Sequence, residues 1–208
     1  KKDDLIATIT TDETGVAKLT DLPLGKYYVK EKETANGYVL DGTAREIDLT
    51  YRDQDTAEVT YSSDWQNNRQ KAEVKVLKKE RDSDRVLEGA VFALCNKEDI
   101  VNANGDVILK ADTVIEEQAT DKEGKLTFTA DLPLGYTYYV KETSPAPGFA
   151  TTDQVQEFTF EYDGADKETL SYEFTFEDEP TVVEITKTSL TDGKELEGAK
   201  LELSLIHI

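Results

Sequence analysis

The motif LPLG occurs twice, beginning at Leu22 and at Leu132, and what surrounds it repeats as well. KYYVKEKETANGY follows the first copy and YTYYVKETSPAPGF the second. TTDETG and ATDKEG precede the two copies as Asp-x-x-Gly turns. A second pair of motifs, VKVLK (74–78) with LEGA (87–90) and VEITK (183–187) with LEGA (196–199), keeps one lysine-to-leucine spacing. Self-similarity at a period of about 110 residues means tandem copies of one unit. The chain is out of phase with its own repeat. Residues 1–69 are the back of one unit, 70–180 a whole unit, and 181–208 the start of a third, with 204–208 set apart as a tail of foreign character.

Within the whole unit, short apolar-alternating runs separated by turn signals imply an all-β fold of sandwich type. Strands are expected at 72–79, 90–95, 106–110, 125–130, 136–142, 155–162 and 170–177. Asn104-Gly105 and Glu123-Gly124 read as hairpin turns. The stretches 95–105 and 110–120 are ambiguous, and no helix is expected.

Charged residues make up 33% of the chain against 38% hydrophobic, enough for a small core in a very polar shell. The net charge of −20 opposes binding to nucleic acid and to anionic membranes, which both reward basic patches. No apolar run reaches the length of a membrane helix. The chain opens on Lys1 and carries no signal peptide, as a fragment or a mature piece would. Cys95, the single cysteine, excludes an internal disulfide and reads as a buried apolar residue.

Strand parity singles out three residues. Tyr136, Tyr138 and Val140 share a face with Glu142, as Tyr27 and Val29 do with Glu31. Val74 and Val76 share a face with Lys78, and Tyr172, Phe174 and Phe176 with Asp178. Charged groups carried on core-facing positions need partners, because unpaired charges are rarely fully buried. The ordinary outcome is an ion pair or solvated strand ends. The chemical outcome is an amide. Burial disfavours the charged form of each group, so a neutral lysine amine can attack a carboxyl while a protonated glutamate moves the proton.

The order Lys-strand, L-x-G-A, Asp-x-x-Gly, L-P-x-G, aromatic strand ending in Val-x-Glu, then Gly-Tyr/Phe resembles the Cna-B (SpaA-type) domains of Gram-positive surface proteins and pilins. The resemblance covers essentially the whole chain apart from the terminal tail. It implies tandem prealbumin-like, inverse immunoglobulin-like β-sandwiches, and an autocatalytic bond between a strand lysine and a last-strand Asn or Asp. By motif, Lys78 is the nucleophile, Glu142 the catalytic acid, and Asp178 the acceptor in the place usually held by asparagine. In the first unit Glu31 matches the glutamate and Asn67 the acceptor, with Asn68 a rival; the matching lysine falls upstream of Lys1. In the third unit Lys187 matches the lysine. The resemblance further implies an extracellular, cell-wall-attached stalk or pilin shaft, with neighbouring repeats as partners and host matrix reached through another region.

Rival readings are weaker. NANGDV (102–107) misses the calcium-loop spacing, and no metal or cofactor is expected. Tyr27, Tyr28, Tyr136, Tyr138 and Tyr139 fit strand packing better than a sugar site. Nucleophile-elbow, phosphate-loop and zinc-protease motifs are missing, so a turnover enzyme is not expected. The functional alternative is a matrix- or glycan-binding adhesin domain without a crosslink.

Overall fold

A computed structural model describes residues 4–53 and 59–204. The tail residues 205–208 and residues 54–58 lie outside the described part. Among the described residues there are eleven strands and no helix: β1 (Lys26–Val29), β2 (Arg45–Asp48), β3 (Lys71–Glu80), β4 (Val91–Asn96), β5 (Ile100–Val101), β6 (Val107–Leu109), β7 (Val114–Ala119), β8 (Lys125–Phe128), β9 (Tyr136–Ser144), β10 (Val155–Phe160) and β11 (Thr169–Asp178). The chain divides into two compact units, Lys1–Ala72 with Glu161–Leu170, and Glu73–Phe160 with Ser171–Ile208.

The larger unit is a sandwich of two sheets. One has the order β10-β9-β4-β7 and the other β11-β3-β8; β5 and β6 form a separate hairpin. The β4, β7, β9 and β10 ladders are antiparallel. β3 and β11 run parallel: the Lys71 N–H donates to the Glu168 carbonyl at one end and the Arg81 N–H to the Asp178 carbonyl at the other. The two-residue period decides what goes inward. On β3 the residues Val74, Val76 and Lys78 are buried, while those between are only half-buried. Phe92 and Phe176 meet across the core at 4.8 Å, and Phe158 packs against Tyr138, Tyr172 and Phe174. Each such aromatic pair adds about 0.5–1.5 kcal/mol beyond burial.

Two features depart from simple alternation. β7 occupies the ambiguous 110–120 stretch, where VIEEQA has no clean apolar period. It is held as an edge strand partly by Glu116, whose carboxylate accepts the N–H groups of Thr129 and Ala130. Tyr139 is also buried, on the face opposite Tyr138, in a cluster with Ala93 and Cys95. Burial pushes the Cys95 thiol up in pKa, as expected of an inert packed cysteine. Asn102 Oδ1 accepts the N–H groups of Asn104 and Asp106, so this loop spends its side chain on its own turn.

In the smaller unit β1 and β2 form one antiparallel pair, with Tyr27, Val29 and Glu31 half-buried and Tyr28 and Lys30 exposed. Gln70, buried in this unit, accepts the Asp163 N–H and donates to the carbonyls of Gly164 and Lys167.

Candidate functional site

β3 delivers Lys78 from one sheet of the sandwich, β11 delivers Asp178 from the same sheet, and β9 delivers Glu142 from the other. None of the three side chains has exposed surface. Lys78 Nζ donates to Asp178 Oδ1 and lies 2.9 Å from Glu142 Oε1. Glu142 Oε2 accepts the backbone N–H of Thr152 at 3.0 Å, which fixes the carboxyl plane. Phe92 stands opposite Glu142 in the β4–β9 ladder, and its ring lies 5.6 Å from Lys78 Nζ. Its ring also packs on that of Phe176, two residues before Asp178 on the same face of β11.

One ammonium faces two carboxyls in a dry site, and they cannot all be satisfied. Glu142 Oε1 and Asp178 Oδ2 are buried with no hydrogen-bond partner. Oε1 is near the ammonium but outside hydrogen-bonding geometry. Burial raises the Glu142 pKa, against the opposing pull of the nearby Lys78 ammonium and the hydrogen bond from the Thr152 N–H. The upward shift favours the protonated acid, and a proton on Glu142 would relieve the excess negative charge. The site therefore holds one lysine and two carboxyls in mutual contact, shielded from solvent.

The smaller unit contains a related pair. Asn67 Nδ2 donates to Glu31 Oε1 and Oε2 at 2.7 and 2.8 Å and lies 2.6 Å from Thr34 Oγ1. Glu31 Oε2 accepts the backbone N–H of Asp41 at 2.9 Å, ten residues downstream, as Glu142 does from Thr152. Neighbouring bonds match too: Val39 N–H to the Asn68 carbonyl corresponds to Ala150 N–H to the Glu179 carbonyl. That correspondence puts Asn67 in the place of Asp178. Asn68 instead points to Glu168 at 3.5 Å. A cleft of about 270 Å³ lined by Val39, Leu40, Asp41 and residues 66–68 opens beside the pair. Lys187 is exposed and lies in no strand; Val183 and Ile185 before it are 67% and 58% exposed, where Val74 and Val76 are 1% and 2%.

Thr34, the Thr152 N–H and Phe92 are the contributors that sequence reasoning missed. Thr34 had a signal in its closeness to Glu31. A backbone donor has none, and Phe92 is visible only as one apolar residue among several.

Among the described residues no group of His, Cys, Asp and Glu could hold a metal ion, and no helix is long and apolar enough to cross a membrane. Residues 1–65 and 72–175 match the family described as "SpaA: Prealbumin-like fold domain". The chain belongs to this SpaA-type family. Among solved structures it is similar to the Bacillus anthracis TIE protein, at 26% identity and a TM-score of 0.56, over 83% of this chain and 28% of that one. It also matches domains D2 and D3 of the major pilin SpaD from Corynebacterium diphtheriae, at 23% identity and a TM-score of 0.35, over 52% of this chain and 46% of that one. The chain thus spans less than half the length of either structure. No curated protein sequence matches it.

Proposed function

We propose that this chain is a piece of a structural stalk or pilin shaft on a Gram-positive cell surface, built from tandem Cna-B-type units. In this reading residues 70–180 form the complete unit, stiffened by an amide between Lys78 and Asp178. The observation that carries the proposal is the wholly buried contact of Lys78 with both carboxyls.

The chemistry balances within the site. A proton passes from the Lys78 ammonium to the Asp178 carboxylate, leaving a neutral amine beside a carboxylic acid. Protonated Glu142 hydrogen-bonds the Asp178 carbonyl as the amine attacks its carbon. Glu142 then relays the amine proton to the departing hydroxyl, so one C–N bond forms, one C–O bond breaks and water leaves. Glu142 ends as it began, and the reaction occurs once. Folding itself supplies the proximity.

Mechanical consequence follows from topology. Tension entering β3 and leaving beyond β11 would cross directly from Lys78 to Asp178, and the residues between them would carry no load. That favours a spacer over a ligand-binding module. Glu31 and Asn67 are proposed as the acid and acceptor of a neighbouring unit, which take a lysine from another strand, and Lys187 as the nucleophile of the next repeat. The partners are then adjacent repeats, and the location is extracellular and cell-wall-attached.

The test is the intact mass of the chain beside its Glu142→Ala variant. A native mass short by one water, with the variant at full mass, is expected. Full mass in both would remove the bond and leave an uncrosslinked spacer or a matrix- or glycan-binding domain.

A further inference from the structure

The Asp-x-x-Gly turn occurs in both units with one geometry. Asp12 Oδ1 accepts the N–H groups of Thr14 and Val16, and the Asp12 carbonyl accepts the Gly15 N–H. Asp121 does the same for Glu123, Lys125 and Gly124. Both glycines have positive φ, +77° and +69°, so turn geometry alone accounts for glycine at each. Their surroundings differ. A Cβ on Gly15 would meet nothing within 4 Å. A Cβ on Gly124 would lie 2.7 Å from the Lys78 carbonyl oxygen, 2.8 Å from Val86 Cβ and 3.1 Å from the Leu87 nitrogen.

The neighbours of Gly124 are the groups that hold the lysine backbone. The Lys78 N–H donates to the Gly124 carbonyl at 2.8 Å, and the Lys78 carbonyl accepts the Leu87 N–H at 3.0 Å. The second bond recurs where Leu196 N–H donates to the Lys187 carbonyl at 2.9 Å. The L-E-G-A motif thus caps the lysine carbonyl, and the Asp-x-x-Gly turn takes its N–H.

We propose that Gly124 is a positioning residue for amide formation: its bare Cα is the seat against which Lys78 is pressed so that Nζ reaches Asp178. The proposal rests on the crosslinking reading above. A side chain at Gly124 must push the β3 backbone away at Lys78, and displacements of about 1 Å cost such reactions on the order of a hundredfold. The seat acts through the backbone and touches no reacting atom.

The experiment is pulse-labelled cell-free synthesis of the full chain, with loss of water followed over time by intact mass. Gly124→Ala is expected to slow crosslinking at least about tenfold at every pH, leaving the shape of the pH profile unchanged. Gly105→Ala is the control: it has the same strain, at φ +86°, but nothing within 4 Å, and should crosslink at the native rate. If Gly124→Ala fails to fold, Gly124→Ala/Val86→Gly removes the side-chain clash and keeps the backbone ones, with the Lys78 carbonyl and the Leu87 nitrogen. A folded Gly124 variant that crosslinks at the native rate overturns the proposal. If the native chain never loses water, the crosslinking reading fails instead. The seat is then decided by hydrogen exchange at the Lys78 amide, slow in the native chain and fast in Gly124→Ala if it stands, equal in both if it does not.

Discussion

Glu31 with Asn67 and Glu142 with Asp178 are the same corner built twice, and they differ by a lysine and by an aspartate in place of the asparagine. In both, the glutamate is held by a backbone N–H ten residues downstream. In the smaller unit the Asn67 amide satisfies both glutamate oxygens directly. In the larger unit Lys78 enters between the acids, and one oxygen of each is left without a hydrogen bond. The glutamate's place is therefore set by the strand and its following loop. An aspartate in place of the asparagine amide, with one lysine shared between two acids, turns a satisfied polar corner into a frustrated one, and that frustration is what amide formation would remove.

The largest test of this contrast is Lys78→Ala. Removing the cation from a wholly buried cluster should cost about 3–5 kcal/mol, in addition to abolishing the amide. Urea unfolding monitored by tyrosine fluorescence would read it. A cost no greater than that of a surface substitution would break the comparison.

Next in size is the pH response. Burial raises the Glu142 pKa above its ordinary 4.5, so the folded state holds this proton more tightly than the unfolded chain. The stability it contributes before crosslinking is fully present below that ordinary value and is lost as pH rises through the raised one. Every tenfold gain in proton affinity on folding corresponds to about 1.4 kcal/mol. Because the relay needs protonated Glu142, the crosslinking rate should fall over the same window. A rate that climbs with pH throughout would contradict the assigned role.

In the smaller unit, Asn67→Ala leaves Glu31 half-buried with the Asp41 N–H, and should cost only about 1 kcal/mol, read as a shift in the urea midpoint. A loss as large as that of Lys78→Ala would show the two corners to be equally strained. The smallest change in stability is expected from Asp178→Asn, nearly isosteric with the native side chain. Its mass should fall by one ammonia, and retention of the full mass would argue that the acceptor must be a carboxyl.

Much of this was legible because a strand leaves little freedom. The two-residue period puts Val74, Val76 and Lys78 on one face, and the structure buries all three. Likewise Phe176 and Asp178 on β11 are buried together. The LPLG and Asp-x-x-Gly motifs placed the turns around Gly124 and Gly135, where positive φ demands glycine. β7 was not legible, since an edge strand whose Glu116 bonds to backbone needs no apolar alternation. Nor was the burial of Tyr139, because a second covered face comes from elements distant in sequence.

Sequence alone determined the recurrence of the motifs, the all-β class and which face of each strand carries its charge, since period and turn chemistry are local. The tertiary structure decided that Lys78, Glu142 and Asp178 share one dry space, and that Asn67 rather than Asn68 faces Glu31. Parity says which way a side chain points along its own strand. Only the parallel pairing of β3 with β11, and the packing of β9 across from them, says what it meets.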